Sequence, residues 1–393
     1  MSTTDISFII ICTIFVFFMT PGLAIFYGGL VRRKNMVGIM EQSFISIGIT
    51  SILWAILGFS LAFGKDINGI IGDASFFCMM GVEIAPHVSI ASNIPFVLFF
   101  VFQLAFAIIT PALISGAIAE RTCFKAYAIF IGAWLLFVYS PVAHWVWGGG
   151  NLAQKGVLDF AGGLVIHLTA GVSAIAAVII IGPRKEINNT PCNMGYVSIG
   201  AGILWAGWFA FNGGSSLAAN TTAAISVANT LMASSSGMFG WLLIGRLFSE
   251  KMTLLDIFFG GIAGLIIITP MAGYVDLWCS LPVGFIGGIV CWSAVRFRSS
   301  RGWDDTLDVW ALHGVGGAFG VILTGVFANP LLAPAAGILY GNTSQLVIQA
   351  LSVIQVSTYS FITTMILLRI IALFTPLRLS EIDEKLGLDR LQC

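Results

Sequence analysis

The chain has 393 residues and no net formal charge; 58% of its residues are hydrophobic and only 9% are charged. A soluble domain carries about 25% charged residues, so this composition excludes an ordinary soluble protein. The neutral balance gives no support for nucleic-acid binding. The seven cysteines show no metal-ligand spacing, so we expect neither a metal nor a cofactor. The sequence predicts an all-α protein that crosses a lipid bilayer several times.

Eleven apolar stretches are long enough for the roughly 20 residues that a membrane-spanning helix needs. The predicted spans are residues 6–30, 37–63, 94–118, 124–142, 162–182, 194–212, 222–247, 254–273, 276–296, 306–328 and 345–374. Together they form one predicted transmembrane domain, residues 1–376. Residues 377–393 form a short cytoplasmic tail.

The basic residues predict how the chain is oriented in the membrane. With the N-terminus outside, only Lys65 and Lys155 of the 18 Lys and Arg residues fall on the outer side. Because cytoplasmic loops are enriched in Lys and Arg, we expect the N-terminus outside and the C-terminus in the cytoplasm. That arrangement requires an odd number of spans, as counted.

Two histidines interrupt apolar spans. His167 lies in DFAGGLVIHLTAG (159–171) and His313 in DVWALHGVGG (308–317), so an Asp precedes each His, by eight and by five residues. An ionisable side chain inside a membrane span is costly and indicates a functional site. A single buried histidine is as easily structural, but two in matching positions favour a shared function.

The two histidines also predict the internal symmetry. His167 lies near the start of the fifth span and His313 near the start of the tenth, and these spans enter the membrane from opposite sides. An inverted repeat has this property, and its functional site lies near mid-membrane. We therefore expect five-plus-five helices, residues 6–182 and 194–328, with the eleventh helix (345–374) outside the repeat.

Aromatic side chains cluster at the outer ends of the neighbouring spans. Phe102 and Phe106 share one helix face, Trp147 precedes three glycines, and Phe211 lies four residues before Ser215. An interfacial aromatic belt is the alternative. Rings beside a hydroxyl could instead hold a small cation through cation–π attraction. Asp159 either caps the fifth span or stabilises the bound ion, and the sequence leaves both open.

Seven motifs occur in order along residues 1–380: PGLAIFYGGLVRRKN (21–35), FQLAFA (102–107), GAIAER (116–121), PVAHWVWGGG (141–150), DFAGGLVIH (159–167), GWFAFNGGS (207–215) and DDTLDVWALHG (304–314). Together they resemble the Amt/Mep/Rh ammonium transporter family, and more closely its Amt branch. The resemblance implies a homotrimer in which each subunit has its own eleven-helix pore, and a PII-type signalling protein as a partner at the cytoplasmic face.

The resemblance also implies roles for single residues. The ammonium site that it implies at the outer mouth consists of Trp147, Phe102, Phe106, Ser215 and Asp159. It also implies a gate formed by the rings of Phe106 and Phe211, and a pore lined by the paired imidazoles of His167 and His313. On this basis we expect a transporter that binds ammonium, removes a proton and conducts ammonia, with the proton crossing separately.

Three alternatives remain. After Gly387-Leu388-Asp389 the tail departs from the family pattern, so the chain could be the membrane part of an ammonium sensor that transports little. An Rh-type neutral-gas channel is disfavoured because Trp147 and Ser215 suit a cation. A membrane enzyme would need a nucleophile, metal triad or cofactor site, and the sequence shows none, so we expect no enzymatic activity.

Overall fold

The computed structural model describes residues 2–248 and 251–391, and within them eleven helices are long and apolar enough to cross a bilayer. We label them α1 (Thr3–Leu30), α2 (Arg33–Phe63), α3 (Phe96–Ser115), α4 (Phe124–Gln154), α5 (Gly163–Ile181), α6 (Met194–Gly214), α7 (Thr221–Leu247), α8 (Leu254–Met271), α9 (Leu277–Ser300), α10 (Trp310–Phe327) and α11 (Thr343–Ala372). The predicted fold class and number of spans are confirmed.

The smaller elements lie between and after these helices. A two-stranded antiparallel hairpin, β1 (Asp66–Ile67) and β2 (Ile71–Gly72), follows α2. The fourth span extends beyond its predicted end at 142, through a glycine turn at 148–150. In the tail, α12 covers Glu381–Leu386. Met1 and the last two tail residues, Gln392 and Cys393, lie outside the described residues.

Helices α5 and α10 cross at glycines. A Cβ on Gly171 would collide with the backbone of Gly314, and a Cβ on Gly317 would lie 2.9 Å from Cβ of His167. Small residues at such crossings let helix backbones approach closely in a membrane. His167, the fifth residue of α5, and His313, the fourth of α10, therefore lie where these two helices approach closely.

Helices α5 and α10 also begin in the same way. Asp159 accepts backbone N–H groups at the start of α5, and Asp305, not Asp308, does the same for α10. Asp308 instead pairs with Arg298 at 2.7 Å. The capping Asp therefore lies eight residues before the His in both helices, and Asp308, five residues before His313, has a different role.

A buried charge cluster closes the end of the molecule that carries the tail. Glu120 pairs with Arg32 at 2.8 Å and with Arg184 at 3.1 Å, and Arg184 pairs with Asp304 at 2.8 Å. Burial opposes ionisation of Glu120, but hydrogen bonds from Arg32 hold the pKa of Glu120 below its usual value. This end of the protein is therefore built from mutually neutralised charges.

The tail packs against the start of α2. The Asp389 carboxylate accepts the Gly38 N–H at 2.9 Å, and the Asn35 side chain accepts the Leu388 N–H at 2.9 Å. Glu384 is buried and pairs with Arg378 at 2.7 Å. The described part of the tail is thus an ordered continuation of the helical domain.

Candidate functional site

A cavity of about 370 Å³ lies at the end of α4 remote from the tail. We call it the aromatic cavity; five predicted site residues line it, namely Phe102, Phe106, Trp147, Asp159 and Ser215. They come from α3, α4, the loop before α5 and the residue that follows α6, so the fold gathers side chains that are more than 100 residues apart. The structure thus brings together all five residues that were predicted for the ammonium site.

Trp147 is held by its indole N–H. It follows the helical part of α4, and its Nε1 donates to the carbonyl oxygen of Asp159 at 2.9 Å. The ring is half-buried and borders the cavity. Because the only polar hydrogen of the indole is used inside the protein, the ring can offer the cavity its π-system alone, which suits a cation.

Ser215 supplies an acceptor on another side of the cavity. Its hydroxyl donates to the Phe211 carbonyl oxygen at 2.8 Å. With its proton committed there, the oxygen keeps lone pairs for a donor. A guest with several N–H groups and a positive charge therefore fits this hydroxyl together with the rings.

The structure answers the open question about Asp159. Its two carboxylate oxygens accept the N–H groups of Gly162, Gly163, Leu164 and Val165 at 2.7–3.3 Å, so the side chain caps α5. Burial raises the pKa of Asp159 to about 6, although these four bonds favour the charged form. Because its acceptor positions are occupied, Asp159 can act on a bound cation through its field rather than as a direct ligand.

Two phenylalanine rings stand between the aromatic cavity, which Phe106 lines, and the space around the histidines, which Phe211 lines. The ring centroids of Phe106 and Phe211 are 4.5 Å apart at an interplanar angle of 74°, and Phe102 lies edge-on to Phe106 at 4.8 Å. Phe106 and Phe211 are each 1% exposed. The predicted gate residues are therefore in contact and separate the cavity from the space behind them.

Behind these rings lie the two histidines. Nδ1 of His167 is 3.1 Å from Nδ1 of His313, within the range expected for a hydrogen bond. Since one nitrogen must donate and the other accept, the pair uses one proton between the rings and sets both tautomers. The other ring nitrogen of His167, Nε2, has no hydrogen-bond partner within residues 2–248 and 251–391.

The space around the histidines is small and apolar. We call it the histidine cavity; its volume is about 30 Å³, and its lining besides the two imidazoles includes Leu23, Ile109, Leu204 and Ile262. This volume is close to the share of one water molecule in the liquid. A hydrated ion cannot fit there, whereas a small neutral molecule can.

Trp208 is a site residue whose position the sequence did not reveal. It stacks on the His167 ring with centroids 5.4 Å apart at 20°, and its Nε1 donates to Thr269 Oγ1 at 2.9 Å. Phe211 stacks on the same imidazole at 6.0 Å and 15°. Trp208 lies three residues before Phe211 on the same helix, and this spacing is the signal that could have placed Trp208 beside the histidines.

Gln103 was also missed. It lines the aromatic cavity between Phe102 and Phe106 along the chain, and its buried Oε1 has no hydrogen-bond partner in the part of the chain that the structure describes. Its position inside the apolar stretch FQLAFA was the available signal, since a lone amide in such a stretch needs a partner.

The other two histidines lie outside the histidine cavity. His144 is fully buried in α4, with Nε2 2.9 Å from Asp66 Oδ1 and Nδ1 3.1 Å from the Ala62 carbonyl oxygen. It therefore fastens the β1–β2 hairpin to α4. His87 is half-buried in the loop before α3 and packs against Phe96 with centroids 4.7 Å apart.

This chain is similar to ammonium transporters and to a sensor Amt protein. A sequence profile of the Ammonium Transporter Family matches residues 7–393. The ammonium transporter of Bacillus subtilis is 42% identical, over 99% of this chain and 97% of that protein. The crystal structure of Saccharomyces cerevisiae Mep2 has a TM-score of 0.90 at 33% identity, covering 97% of this chain and 88% of Mep2. A structure of a sensor Amt protein has a TM-score of 0.92 at 28% identity, with 99% and 98% covered.

Proposed function

The chain belongs to the ammonium transporter family, and we propose that it recruits ammonium in the aromatic cavity, removes a proton and passes neutral ammonia along the paired histidines. One observation carries this proposal. The rings of Phe106, Phe211, His167 and His313 form a continuous row that leads from the aromatic cavity into the histidine cavity, with successive centroid distances of 4.5, 6.0 and 5.2 Å.

Recruitment uses the aromatic cavity. Ammonium has four N–H groups and a positive charge, which match the faces of Trp147 and Phe102, the oxygen of Ser215 and the field of Asp159. A desolvated cation–π contact contributes about 2 kcal/mol, so a few such contacts bind an ion without trapping it. The cation therefore gathers at the mouth and can still leave.

Deprotonation follows from the size and polarity of the histidine cavity. An ion in the bilayer interior costs several kcal/mol, and the roughly 30 Å³ around the imidazoles leaves no room for its hydration shell. Ammonia has no charge to desolvate and keeps both a lone pair and N–H groups. It can exchange hydrogen bonds with Nε2 of His167 as it passes.

The proton crosses separately. A pair of hydrogen-bonded imidazoles can accept a proton at one outer nitrogen and release another at the far side, reversing both tautomers. Transport of ammonia together with this proton moves one net charge for each ammonium. The process is therefore electrogenic.

The test uses purified protein in proteoliposomes on a solid-supported membrane. An ammonium jump should give a transient current that grows with protein density and is absent in protein-free liposomes. Flux without current would contradict the proton step. Absence of both would contradict transport itself.

Sensing is the second candidate, because this chain is similar in structure to 98% of the chain of the sensor Amt protein. A sensor domain would bind ammonium in the aromatic cavity but carry little flux. Binding measured by intrinsic tryptophan fluorescence, combined with negligible proteoliposome flux, would favour sensing over transport.

We further propose a homotrimer oriented with its N-terminus outside and its tail in the cytoplasm, where a PII-type signalling protein docks. Large apolar side chains along α1, such as Phe15 and Phe18, are exposed in the single chain and suit contact with lipid or with another subunit. Native mass spectrometry tests the trimer, and thiol labelling of single-cysteine variants from each side tests the orientation. Pull-down with a PII protein tests the docking.

A further inference from the structure

A short segment connects the aromatic cavity to the start of α5; it consists of Leu158, Asp159 and Phe160. The Asp159 carbonyl oxygen orients Trp147, and the Asp159 carboxylate caps the helix that contains His167. Both contacts depend on where the backbone of this short segment lies. The two neighbours of Asp159 are accordingly held by separate parts of the protein.

Gln349 of α11 holds Leu158. Its Oε1 accepts the Leu158 N–H at 2.9 Å, and its Nε2 donates to the Leu158 carbonyl oxygen at 2.7 Å. The side-chain amide thus pairs with both backbone groups of one residue, as a neighbouring β-strand does. On the other side, the Phe160 N–H donates to the carbonyl oxygen of Pro270 at 2.9 Å.

The second N–H of the Gln349 amide reaches α10. Nε2 donates to the Val321 carbonyl oxygen at 3.1 Å, and the side chain is fully buried at 0% exposure. Both amide hydrogens and the amide oxygen are therefore used. The bonds tie α11, which stands outside the predicted repeat, to the segment of Asp159 in one half and to the helix of His313 in the other.

No described residue of α11 lines the aromatic cavity. We propose that Gln349 is nevertheless a positioning residue for the cation site, acting through Leu158 and Asp159 on the orientation of Trp147. This inference rests on the proposed function of the aromatic cavity. It predicts that a side chain on the eleventh helix sets ammonium affinity without touching the ion.

The experiment replaces the amide by an apolar side chain of similar size. Gln349→Leu leaves the buried N–H and C=O of Leu158 without partners, so the segment must shift to find others. We expect the half-saturation concentration for ammonium-jump currents to rise roughly tenfold, while the maximal current per folded protein stays within about twofold. A purely structural role would lower the yield or the maximal current and leave the half-saturation concentration unchanged.

Gln355→Leu is the matched control. Gln355 lies on the same helix, but its amide donates to the side chain of Asn151 in the last turn of α4, at 2.8 Å, and not to the segment of Asp159. The half-saturation concentration of Gln355→Leu should stay at the parent value. Equal increases in the two variants would overturn the proposal, because the effect would then belong to the polar contacts of α11 in general.

A double variant tests the route of action. If Gln349 acts through Trp147, adding Gln349→Leu to Trp147→Leu should change the half-saturation concentration by less than about twofold further. If the two substitutions instead raise the half-saturation concentration independently, so that their effects multiply, Gln349 does not act through Trp147. If Gln349→Leu yields no folded protein, Gln349→Glu decides, since it keeps an acceptor for the Leu158 N–H. An unchanged half-saturation concentration in Gln349→Glu would then reject the proposal.

The outcome is separable from that of the proposed function. A parent protein without ammonium-dependent current or flux contradicts transport, whatever the variants do. A parent protein with normal currents and an unaffected Gln349→Leu variant contradicts only the positioning role.

Discussion

Asp159 and Asp305 occupy equivalent places, each eight residues before a pore histidine and each capping the helix that carries it. Three residues after each Asp the backbone turns left-handed, at Gly162 (φ 115°) and at Asp308 (φ 58°). Both helices then begin with a π-helical turn that contains the histidine, a feature common at functional sites. The two halves therefore position their imidazoles in the same way, with a capping Asp, a left-handed residue and a π-helical turn.

The equivalence provides a matched pair for a pH test. Because burial raises the pKa of Asp159 to about 6, the carboxylate is charged above that pH and neutral below it. Its field favours a cation in the aromatic cavity only while it is charged. We expect the half-saturation concentration for ammonium to rise as pH falls from 7.5 to 5, measured from ammonium-jump currents.

Asp159→Asn should remove this pH dependence and hold the half-saturation concentration at its acidic value. Asp305→Asn changes the equivalent cap, which does not line the aromatic cavity. The pH dependence should therefore persist in Asp305→Asn. Loss of the dependence in both variants, or in neither, would show that Asp159 is not the titrating group.

Trp147→Leu should weaken ammonium binding without unfolding the protein. Loss of one partly desolvated cation–π contact costs about 1–2 kcal/mol, so the half-saturation concentration should rise roughly 5- to 30-fold. Trp145→Leu is the control. Trp145 donates to the Ile70 carbonyl oxygen at 2.7 Å and does not line the aromatic cavity. Similar half-saturation concentrations in the two variants would show that Trp147 is not part of the ammonium site.

Potassium should not be transported, although it resembles ammonium in size and charge. It has no proton to release and therefore no neutral form to enter the histidine cavity. We expect potassium jumps to give no current where ammonium jumps do. Replacing both pore histidines by glutamate should lower this selectivity, because a carboxylate can neutralise a cation in the pore. Comparable potassium and ammonium currents in the unmodified protein would contradict deprotonation.

Composition predicted the architecture well because membrane spans are set by length and hydropathy, which are local properties. The eleven helices followed directly, and so did the places of both histidines near the starts of α5 and α10. The Asp that caps α10 did not, because the sequence cannot show that Asp308 takes a left-handed backbone conformation. Three acidic residues precede His313 closely, and choosing among them required the backbone path.

Long-range contacts were equally hidden. The stacking of Trp208 on His167 and the pairing of Gln349 with Leu158 join residues 41 and 191 positions apart. Nothing local to either residue specifies its partner. Asp159 could be recognised as a helix cap or an ion ligand, and only the four N–H groups around its carboxylate decide for the cap.

Gly171→Ala should disturb the pore although alanine is the better helix former. The added Cβ would collide with the backbone of Gly314, which cannot move aside as a side chain can. We expect a loss of about 1–3 kcal/mol in stability and a reduced ammonium current, because α5 and α10 must separate. Thermal unfolding in detergent measures the first effect.

Gly202→Ala is the control, since its Cβ would meet nothing within 4 Å on α6. That variant should be unchanged or slightly stabilised, by up to about 1 kcal/mol. A fully stable and active Gly171→Ala protein would mean that the crossing of α5 and α10 is looser than the structure shows.

The final prediction treats His167 and His313 as a unit. Their Nδ1 atoms share one proton at 3.1 Å, so removing either ring leaves the other without its partner and breaks the same proton path. His167→Ala and His313→Ala should each slow ammonium-driven currents, and the double variant should be little worse than either single one. A double-mutant cycle on these currents, normalised to the yield of folded protein, measures the coupling. The cycle between His313→Ala and Trp147→Leu is the reference, because these residues serve separate steps and their effects should multiply. Losses that multiply in the histidine cycle as well would mean that the two imidazoles work independently, and the paired mechanism would be wrong.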